Sequence, residues 1–318
     1  MMDAIETDTY RMGDSPESAA RRFAMFSFLL LPALGVAAAV VLGIAHGVPL
    51  WCWVLLFWSW LWTGLGGTVG YHRMLSHRSF QAPAAVRAFW IAAASIGGQG
   101  SPLVWAGLHR IHHANSDKQR DLHSPWNEGR TGSLRDLFHA HCGWLINLRW
   151  NGQELDRMVP DLRQDPVICY FERTHAVWPF IGLLAPALFG LLVTRTADGA
   201  LLGLLWGGLV RLFLTQHLSW GVNSACHRFG KVRYLTNDLS KNNWFFGLFA
   251  LGEGWHNNHH AFPASARHGF GLQFDTSWCV IRLFSLMRLV SDVHLPDPQT
   301  LEKKRLDRPR AGESSRSV

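Results

Sequence analysis

Two histidine triplets with identical spacing are the part of this sequence most able to do chemistry. The motifs HRIHH and HNNHH supply His109, His112, His113, His256, His259 and His260. The spacing i, i+3, i+4 puts the three imidazoles of each motif on one face of a helix. Grouped imidazoles repel one another when protonated and need partners when buried and neutral, and a bound metal removes both costs. The triplets therefore predict two walls of a metal site.

Three more histidines extend the set. His72 and His77, in YHRMLSH, are five residues apart, which is about 140° around an α-helix of 3.6 residues per turn. They do not share a face of such a helix, so they either bracket one site or serve two ions. His227 follows Asn223 by one helical turn and shares its face. Nine imidazoles exceed the ligands that one ion holds, and this count indicates a dinuclear centre.

The residue types limit the choice of metal but do not select a single one. Imidazole suits zinc, copper, iron and nickel. A structural zinc site often uses thiolates, but no cysteine lies in these motifs, and the HExxH motif of zinc hydrolases is absent. The five cysteines are scattered without CxxC spacing, and we expect them to be reduced and buried. A redox centre that uses oxygen remains, and a hydrocarbon chain is its expected substrate.

Composition favours a membrane setting for this centre. Hydrophobic residues make up 48% of the 318 residues and charged residues only 17%, and 16 tryptophans exceed the usual share of a soluble domain. Tryptophan concentrates at the lipid headgroup level. The net charge of +7 is not accompanied by a helix-turn-helix, zinc-finger or RNA-binding signature. We therefore expect a basic cytoplasmic face and no nucleic-acid partner.

Apolar runs predict an all-α integral membrane protein with four transmembrane helices in two hairpins. Charge-free or nearly charge-free stretches of about 20 residues are long enough to cross a bilayer. The predicted spans are residues 23–44, 50–69, 177–194 and 200–218. Residues 70–176 and 219–294 form a cytoplasmic helical cap that holds the dinuclear site. Residues 1–22 are a disordered cytoplasmic tail, and residues 295–318 are a disordered basic tail.

Three features test this topology. Arg211 falls inside the fourth span and either snorkels or faces the protein interior. We expect this helix to continue past the bilayer through Asn223 and His227. The apolar run 84–96 is too short to span and is interfacial or buried, and 278–290 is an interfacial helix. Basic residues between the hairpins place both termini and all the histidine motifs on the cytoplasmic side.

Four motifs together resemble the membrane fatty acyl desaturases of the stearoyl-CoA desaturase type. They are GYHRMLSHRSF, WAGLHRIHH, WGVNSACHRFG and GEGWHNNHHAFP, in that family's order and separation. The resemblance runs from about Leu50 to Gly271, which is most of the chain. Each motif alone is a weak signal, whereas the combination is specific. The resemblance implies a mushroom-shaped helical enzyme with two iron ions and O2 as co-substrate.

The resemblance also implies particular roles for residues. The implied iron ligands are His72, His77, His109, His112, His113, His227, His256, His259 and His260, with Asn223 acting through water. Gln99, Trp105, Ser219 and Trp220 match positions that shape the bend of the acyl tunnel, although ordinary packing explains them equally well. Asp117, Asp121 and Glu253 are candidates to hydrogen-bond the imidazoles, the alternative being surface salt bridges. His123 and His268 are open between such a position and the surface.

The implied reaction is O2-dependent insertion of a cis double bond, of the delta-9 type, into a saturated acyl chain. The coenzyme A contacts of animal relatives fall here on Gly100, Gly107 and Leu108, so the substrate is left open between acyl-CoA and acyl-lipid. The implied electron donor is a separate protein of ferredoxin or rubredoxin type, and the implied location is the bacterial inner membrane. A related histidine-box lipid hydroxylase or ketolase is the alternative. A non-catalytic metal transporter would carry more polar residues in its spans.

Overall fold

A computed structural model describes residues 12–14, 19–126, 129, 131–146 and 148–306, with side chains of the first helix described from residue 22. Regular structure in these ranges is helical, and the only β pairings there are isolated bridges. The predicted all-α class is therefore confirmed for the described residues. The expectations for residues 1–11, 15–18 and 307–318 of the two tails lie outside them.

The helices are numbered here in chain order. They are α1 (Ala19–His46), α2 (Leu50–Ser76), α3 (Ala84–Ile96), α4 (Pro102–Asn115), α5 (134–146), α6 (Gly152–Met158), α7 (Pro166–Thr174), α8 (Trp178–Thr194), α9 (Ala197–Arg228), α10 (Trp244–Phe249), α11 (His256–Ala261), α12 (Thr276–Leu286) and α13 (Pro298–Lys304). Three of them contain π-helical turns, at Gly66–Ser76 in α2, His139–Gly143 in α5 and Leu204–Val210 in α9.

Three of the described helices are long and apolar enough to cross a membrane. They are Arg22–His46 within α1, Leu50–Ser76 and Ala197–Arg228. A fourth crossing requires α7 and α8 to be one span that is bent by 75°. Both α2 and α9 extend beyond the predicted spans: the end of α2 is π-helical over Gly66–Ser76, whereas α9 continues to its histidine as an α-helix over Arg211–Arg228. The extension of α9 through Asn223 and His227 agrees with the sequence prediction.

Arg211 faces the protein interior, with only 1% of its surface exposed. Its guanidinium donates to the carbonyls of Gly207, Ile96 and Gly182 at 3.2, 3.2 and 2.8 Å. The carbonyl of Ile96 lies at the end of α3, and that of Gly182 lacks its helical partner because Pro186 has no N–H. Arg211 therefore satisfies carbonyls that the helices leave unpaired, and the snorkelling alternative is wrong.

One face of helix α3 packs closely against α2. Two glycines of α2 allow the close approach, since a Cβ on Gly66 would lie 2.2 Å from the Ala94 nitrogen and one on Gly70 would lie 2.9 Å from the Trp90 carbonyl. Ile91 is fully buried. Of the two alternatives for residues 84–96, burial holds for this face alone, because Phe89 on the outer face is 46% exposed.

The C-terminal segment corrects one expectation. Residues 295–318 are predicted to be disordered, but α13 forms within them and is capped by Asp297. The Lys304 ammonium donates to the Ala261 carbonyl at 2.7 Å, and the Leu235 N–H donates to the Lys304 carbonyl at 2.8 Å. The prediction relies on the small number of apolar residues in this segment. The helix instead depends on the Asp297 cap at its start and on the hydrogen bonds of Lys304 at its end. The segment is thereby fastened to α11.

The cysteines are partly as expected. All five are free, and Cys52, Cys169 and Cys226 are buried. Cys142 is only half-buried and Cys279 is exposed. The expectation that all five are buried is wrong for these two.

Candidate metal centre

The π-helical end of α2 brings His72 and His77 to the same place. The His77 N–H donates to the His72 carbonyl at 3.1 Å, which is the i→i+5 hydrogen bond of a π-helix. The two ring centroids lie 4.8 Å apart. The 140° separation expected of an α-helix is wrong here, because the wider turn aligns residues five apart. Both imidazoles therefore face one group of ligands.

Helix α4 supplies three imidazoles and is fixed firmly at its start. Ser101 caps the helix by accepting from the Val104 N–H at 3.1 Å, and the buried Glu172 accepts from the Ser101 hydroxyl and the Leu103 N–H. The indole of Trp105 stacks on His109 at 5.0 Å between centroids. The first turn of α4 is thus held before the chain reaches its histidines.

Helix α11 is held by the two asparagines between its histidines, which sequence reasoning did not single out. Both are fully buried. The Asn257 side chain accepts from the N–H groups of Arg233 and Tyr234 at 2.7 and 2.8 Å. The Asn258 amide donates to the His268 carbonyl at 2.7 Å. A short helix gains little from its own hydrogen bonds, so these contacts set the direction of its imidazoles.

The nine predicted histidines lie in two adjacent groups. In each group the nitrogen atoms that can bind a metal all lie within 4.8 Å of one another. The first group is His72, His77, His109, His113 and His259, and the second is His112, His227, His256 and His260. Each group therefore draws on separate segments of the chain, and α4 and α11 contribute to both.

The spacing of the nitrogens fits bound metal ions. Four Nε2–Nε2 contacts measure 2.8 to 3.0 Å and join His72 to His259, His77 to His109, His113 to His259, and His227 to His256. Two imidazole nitrogens at right angles, each about 2.1 Å from a metal, lie about 3.0 Å apart. The Nε2 atoms of His112 and His260 are buried and lack a hydrogen-bond partner among the described residues. Lone pairs without a proton donor suit a cation.

Carboxylates occupy the outer nitrogens of four of these rings. The Nδ1 atoms of His72, His112, His227 and His260 contact Glu253 at 2.5 Å, Asp121 at 3.0 Å, Asp117 at 2.9 Å and Asp238 at 2.7 Å, respectively. A carboxylate at Nδ1 fixes the proton there and leaves the Nε2 lone pair free for a metal. The structure places the three predicted acids in these positions. Asp238 was missed, because nothing near it in the sequence marks a metal site.

Charge and burial keep these groups in the required protonation states. Burial alone would raise the pKa of Asp238 and Glu253, but the nearby imidazoles, and Arg73 beside Glu253, hold both below their usual ranges. Burial, and the repulsion of neighbouring imidazoles, lower the pKa of His109, His113 and His259 well below the usual value. Asp238 and Glu253 are therefore charged, and the rings of His109, His113 and His259 are neutral, at pH 7, which is the state that binds metal.

His123 and His268 lie inside the protein rather than at its surface. The ring of His123 lies 4.4 Å from that of His112, and the ring of His268 lies 4.3 Å from that of His259. His268 also approaches Glu253 at 3.5 Å. Burial is the main cause that lowers the pKa of His123 to about 3 and of His268 to about 4. Of the two alternatives for these histidines, the surface position is therefore wrong for both.

A cavity lies directly beside the histidines. Its walls include His72, His109, His256, Asn223 and the predicted tunnel residues Gln99, Trp105 and Ser219. Trp220 is not among the lining residues and instead places its ring 5.3 Å from that of His217 and 5.9 Å from that of His141. The structure thus places Trp220 outside the cavity wall. The expectation for Trp220 is therefore corrected.

Comparison with known proteins agrees with this arrangement. A family model described as fatty acid desaturase matches residues 50–274. The chain belongs to the fatty acid desaturase family, and the predicted family is confirmed. It is accordingly an oxidoreductase that acts on fatty acyl chains.

The names of similar proteins state acyl substrates with different head groups. The chain is 35% identical over 282 residues to a hex-5-enoyl-(acyl-carrier protein) acetylenase of Moorena producens (strain JHB), covering 87% of each protein. It is 36% identical over 245 residues to an sn-1 stearoyl-lipid 9-desaturase of Anabaena variabilis, covering 77% of this chain and 84% of the relative. It is 36% identical over 251 residues to an acyl-CoA 5-desaturase of Anemone leveillei, covering 75% and 73%. The family likeness alone does not select a head group.

Proposed function

We propose that this protein is an O2-dependent acyl desaturase that forms a cis double bond, of the delta-9 type, in a saturated acyl chain. The observation that supports this is the contact between two groups of converging imidazoles and the adjoining cavity. The overall reaction consumes the chain, O2, two electrons and two protons, and yields the alkene and two waters. Two iron ions, when bound, supply the redox chemistry.

The chain's own residues have the task of holding these ions. The proposed ligands are the nine histidines of the two groups, and Asn223, which lines the cavity, is proposed to act through a water. Asp117, Asp121, Asp238 and Glu253 accept the Nδ1 protons and so keep the rings oriented. Fixed ligands reduce the rearrangement needed when an ion binds.

The cavity is proposed to hold one pair of methylenes beside the ligands. Trp105 connects both functions, because its ring stacks on His109 and also lines the cavity. Gln99 and Ser219 add polar groups to the wall. A narrow cavity limits the conformers that an acyl chain can adopt. Holding the reacting methylenes in one orientation lowers the barrier to reaction.

The proposal includes the membrane arrangement. Four crossings, with α7 and α8 as one bent span, put both termini and the histidine groups on the cytoplasmic side of a bacterial inner membrane, with residues 70–176 and 219–294 as the cap. Electrons come from a separate ferredoxin- or rubredoxin-type protein. Basic residues of the cytoplasmic segment are proposed to attract such an acidic carrier.

The test is expression in a host that has no desaturase, followed by mass spectrometry of the acyl chains. The expected product is a monounsaturated chain with its double bond between carbons 9 and 10. His259→Ala should abolish it, and His46→Ala, at the exposed end of α1, should not. Hydroxylated or keto chains in place of alkenes would contradict the proposed reaction.

A further inference from the structure

The carboxylates around the two histidine groups are unevenly divided. Among the described residues, three aspartates contact rings of the second group, whereas Glu253 alone contacts a ring of the first group. The second group is also the smaller, with four imidazoles against five. An imidazole that binds a metal is neutral, so the fifth ring of the first group adds no charge. The difference in charge between the two groups therefore comes from the acids and from what they contact.

Neutral donors orient the aspartates beside the second group. Asp117, which contacts a ring of this group, accepts from the Ser124 hydroxyl at 2.5 Å and from the Leu239 N–H at 2.8 Å. Asp121 accepts from the N–H groups of Asp117 and His123 at 2.9 and 3.2 Å. Hydrogen bonds from neutral groups hold a carboxylate in place without cancelling its charge. The negative charge of these aspartates therefore acts on the rings that they contact.

Glu253 differs from the aspartates because it contacts a fully buried arginine. The Arg73 guanidinium donates to the Oε1 atom of Glu253 through Nη2 at 3.0 Å and through Nε at 3.3 Å. The other oxygen, Oε2, lies 2.5 Å from Nδ1 of His72. An adjacent positive charge lowers the proton affinity of a carboxylate. Glu253 therefore attracts the Nδ1 proton of His72 less strongly than a carboxylate without such a partner would.

Arg73 is also held on the side away from Glu253. Asp275 lies 3.0 Å from its Nη2 atom and accepts from Nη1 at 3.1 Å. The Ala266 carbonyl accepts from the same Nη1 atom at 2.7 Å. The close approach requires glycine at position 252, because a Cβ on Gly252 would lie 2.2 Å from Asp275 and 2.9 Å from Arg73. Asp275 and Ala266 thus hold the guanidinium against Glu253.

The two groups therefore differ in the ion charge that their surroundings stabilise. One arginine and two acids leave a single formal negative charge beside the first group, whereas three aspartates adjoin the second. A carboxylate at Nδ1 makes an imidazole a more basic ligand, and nearby negative charge favours the higher oxidation state of a metal. Hydrogen bonding and net charge around the ligands are known to set the reduction potentials of protein-bound iron.

We infer that the two iron positions are unequal, that the first histidine group holds the ion of higher reduction potential, and that Arg73 is a positioning residue that raises this potential through Glu253 and His72. This inference rests on the proposed function, because it takes iron as the metal. Reduction of each ion converts Fe3+ to Fe2+ with one electron from the separate donor protein, and it breaks no bond in the chain. The first electron therefore reduces the ion of the first group, and the second electron reduces that of the second.

The experiment is a redox titration of the full chain in detergent and saturating iron, and it does not depend on turnover. Mössbauer spectroscopy counts the ferric and ferrous ions at each potential. Arg73→Met removes the positive charge and should lower the higher of the two potentials by about 59 mV, which is a tenfold change in the ratio of ferric to ferrous ion. Arg73→Lys retains the charge and should retain most of this potential. Arg282→Met, at an exposed arginine of α12, is the matched control and should change neither potential.

A variant of the second group tests the inference from the other side. Asp117→Asn removes one negative charge at His227 and should raise the lower potential by a similar amount, while moving the higher one less. General damage to the fold would move both potentials together, whereas these two shifts have opposite signs and affect different ions. If Arg73→Met does not fold, Asp117→Asn decides alone, and an unchanged lower potential in that variant would overturn the inference. Shifts as expected in a protein that forms no alkene would instead contradict the proposed function and leave the inequality of the two positions intact.

Discussion

The Nδ1 atom of His260 lies 2.7 Å from the Oδ2 atom of Asp238, although 22 residues separate them in the chain. Asp238 belongs to the loop between α9 and α10, and its carboxylate also accepts from the Ser240 N–H at 3.0 Å and from the Ser240 hydroxyl. The Asp238 carboxylate is therefore held by hydrogen bonds within its own loop as well as by its contact with His260. The fourth carboxylate of the centre is thus as firmly placed as the three that the sequence indicated.

Asp238→Asn should lower metal affinity by roughly 10 to 100-fold, because an amide of the same shape no longer favours the proton on Nδ1 of His260. Iron binding to chelator-treated protein, followed by competition with a chelator, measures the change. Asp292→Asn, at an exposed aspartate, is the matched control. An affinity equal to that of the unmodified protein would exclude an orienting role for Asp238.

His259→Ala should empty the first histidine group. Its Nε2 atom lies 3.0 Å from that of His72 and 2.9 Å from that of His113, so this ring links α2 to α4. Elemental analysis should find two irons per unmodified chain, one for each group, and clearly less in the variant. Full iron content in His259→Ala would disprove its assignment as a ligand.

Arg211→Met should destabilise the membrane region more than Arg211→Lys. Methionine leaves the buried carbonyls of Ile96 and Gly182 without a donor, at about 1 to 3 kcal/mol for each unsatisfied group. Lysine retains the charge and one or two of the bonds. Thermal unfolding in detergent provides the ranking, and similar midpoints for methionine and arginine would show that these bonds contribute little.

The metal-free protein should lose stability on acidification below about pH 6.5. Burial, with Arg73 nearby, lowers the pKa of His268 from 6.5 to about 4, so the unfolded chain binds more protons between these values. The contribution of His268 is complete above pH 6.5 and falls by about 1.4 kcal/mol per pH unit down to pH 4. Unfolding midpoints measured with a chelator should fall accordingly, and less steeply in His268→Gln. A midpoint constant from pH 7 to 4.5 would contradict the buried neutral rings.

Removal of residues 295–318 should accelerate iron loss, because it deletes the Lys304 ammonium that caps α11 at Ala261. Removal of residues 307–318 alone is the control, since it leaves α13 in place. The rate of iron transfer to a chelator compares the two truncations. Equal rates would mean that α13 does not support the histidines of α11.

The sequence predicted the helical class and the identity of the clustered histidines because both depend on local pattern. Charge-free stretches indicate spans, and i, i+3, i+4 spacing survives any packing of α4 and α11. The predicted separation of His72 and His77 is wrong, because residues Gly66–Ser76 form a π-helix whose i→i+5 hydrogen bond brings the two rings together. A period of 3.6 residues cannot reveal such a turn.

Long-range contacts explain the remaining differences. Asp238 meets His260 only after the chain has folded back, and α13 is ordered by a hydrogen bond to Ala261 rather than by its own composition. Trp220 packs against His141 and His217 instead of lining the cavity. Most of these contacts join residues that are far apart in the chain. A local sequence pattern therefore cannot reveal them.

The two histidine groups also set the order in which the protein can mature. The first group takes four rings from residues 72–113 and its fifth from His259, and the second group is likewise incomplete without α11. Translation must therefore reach His259 before the first group is whole and His260 before the second. We therefore expect the complete metal centre to form only after synthesis and membrane insertion. Metal binding would then require a chain that has already folded correctly.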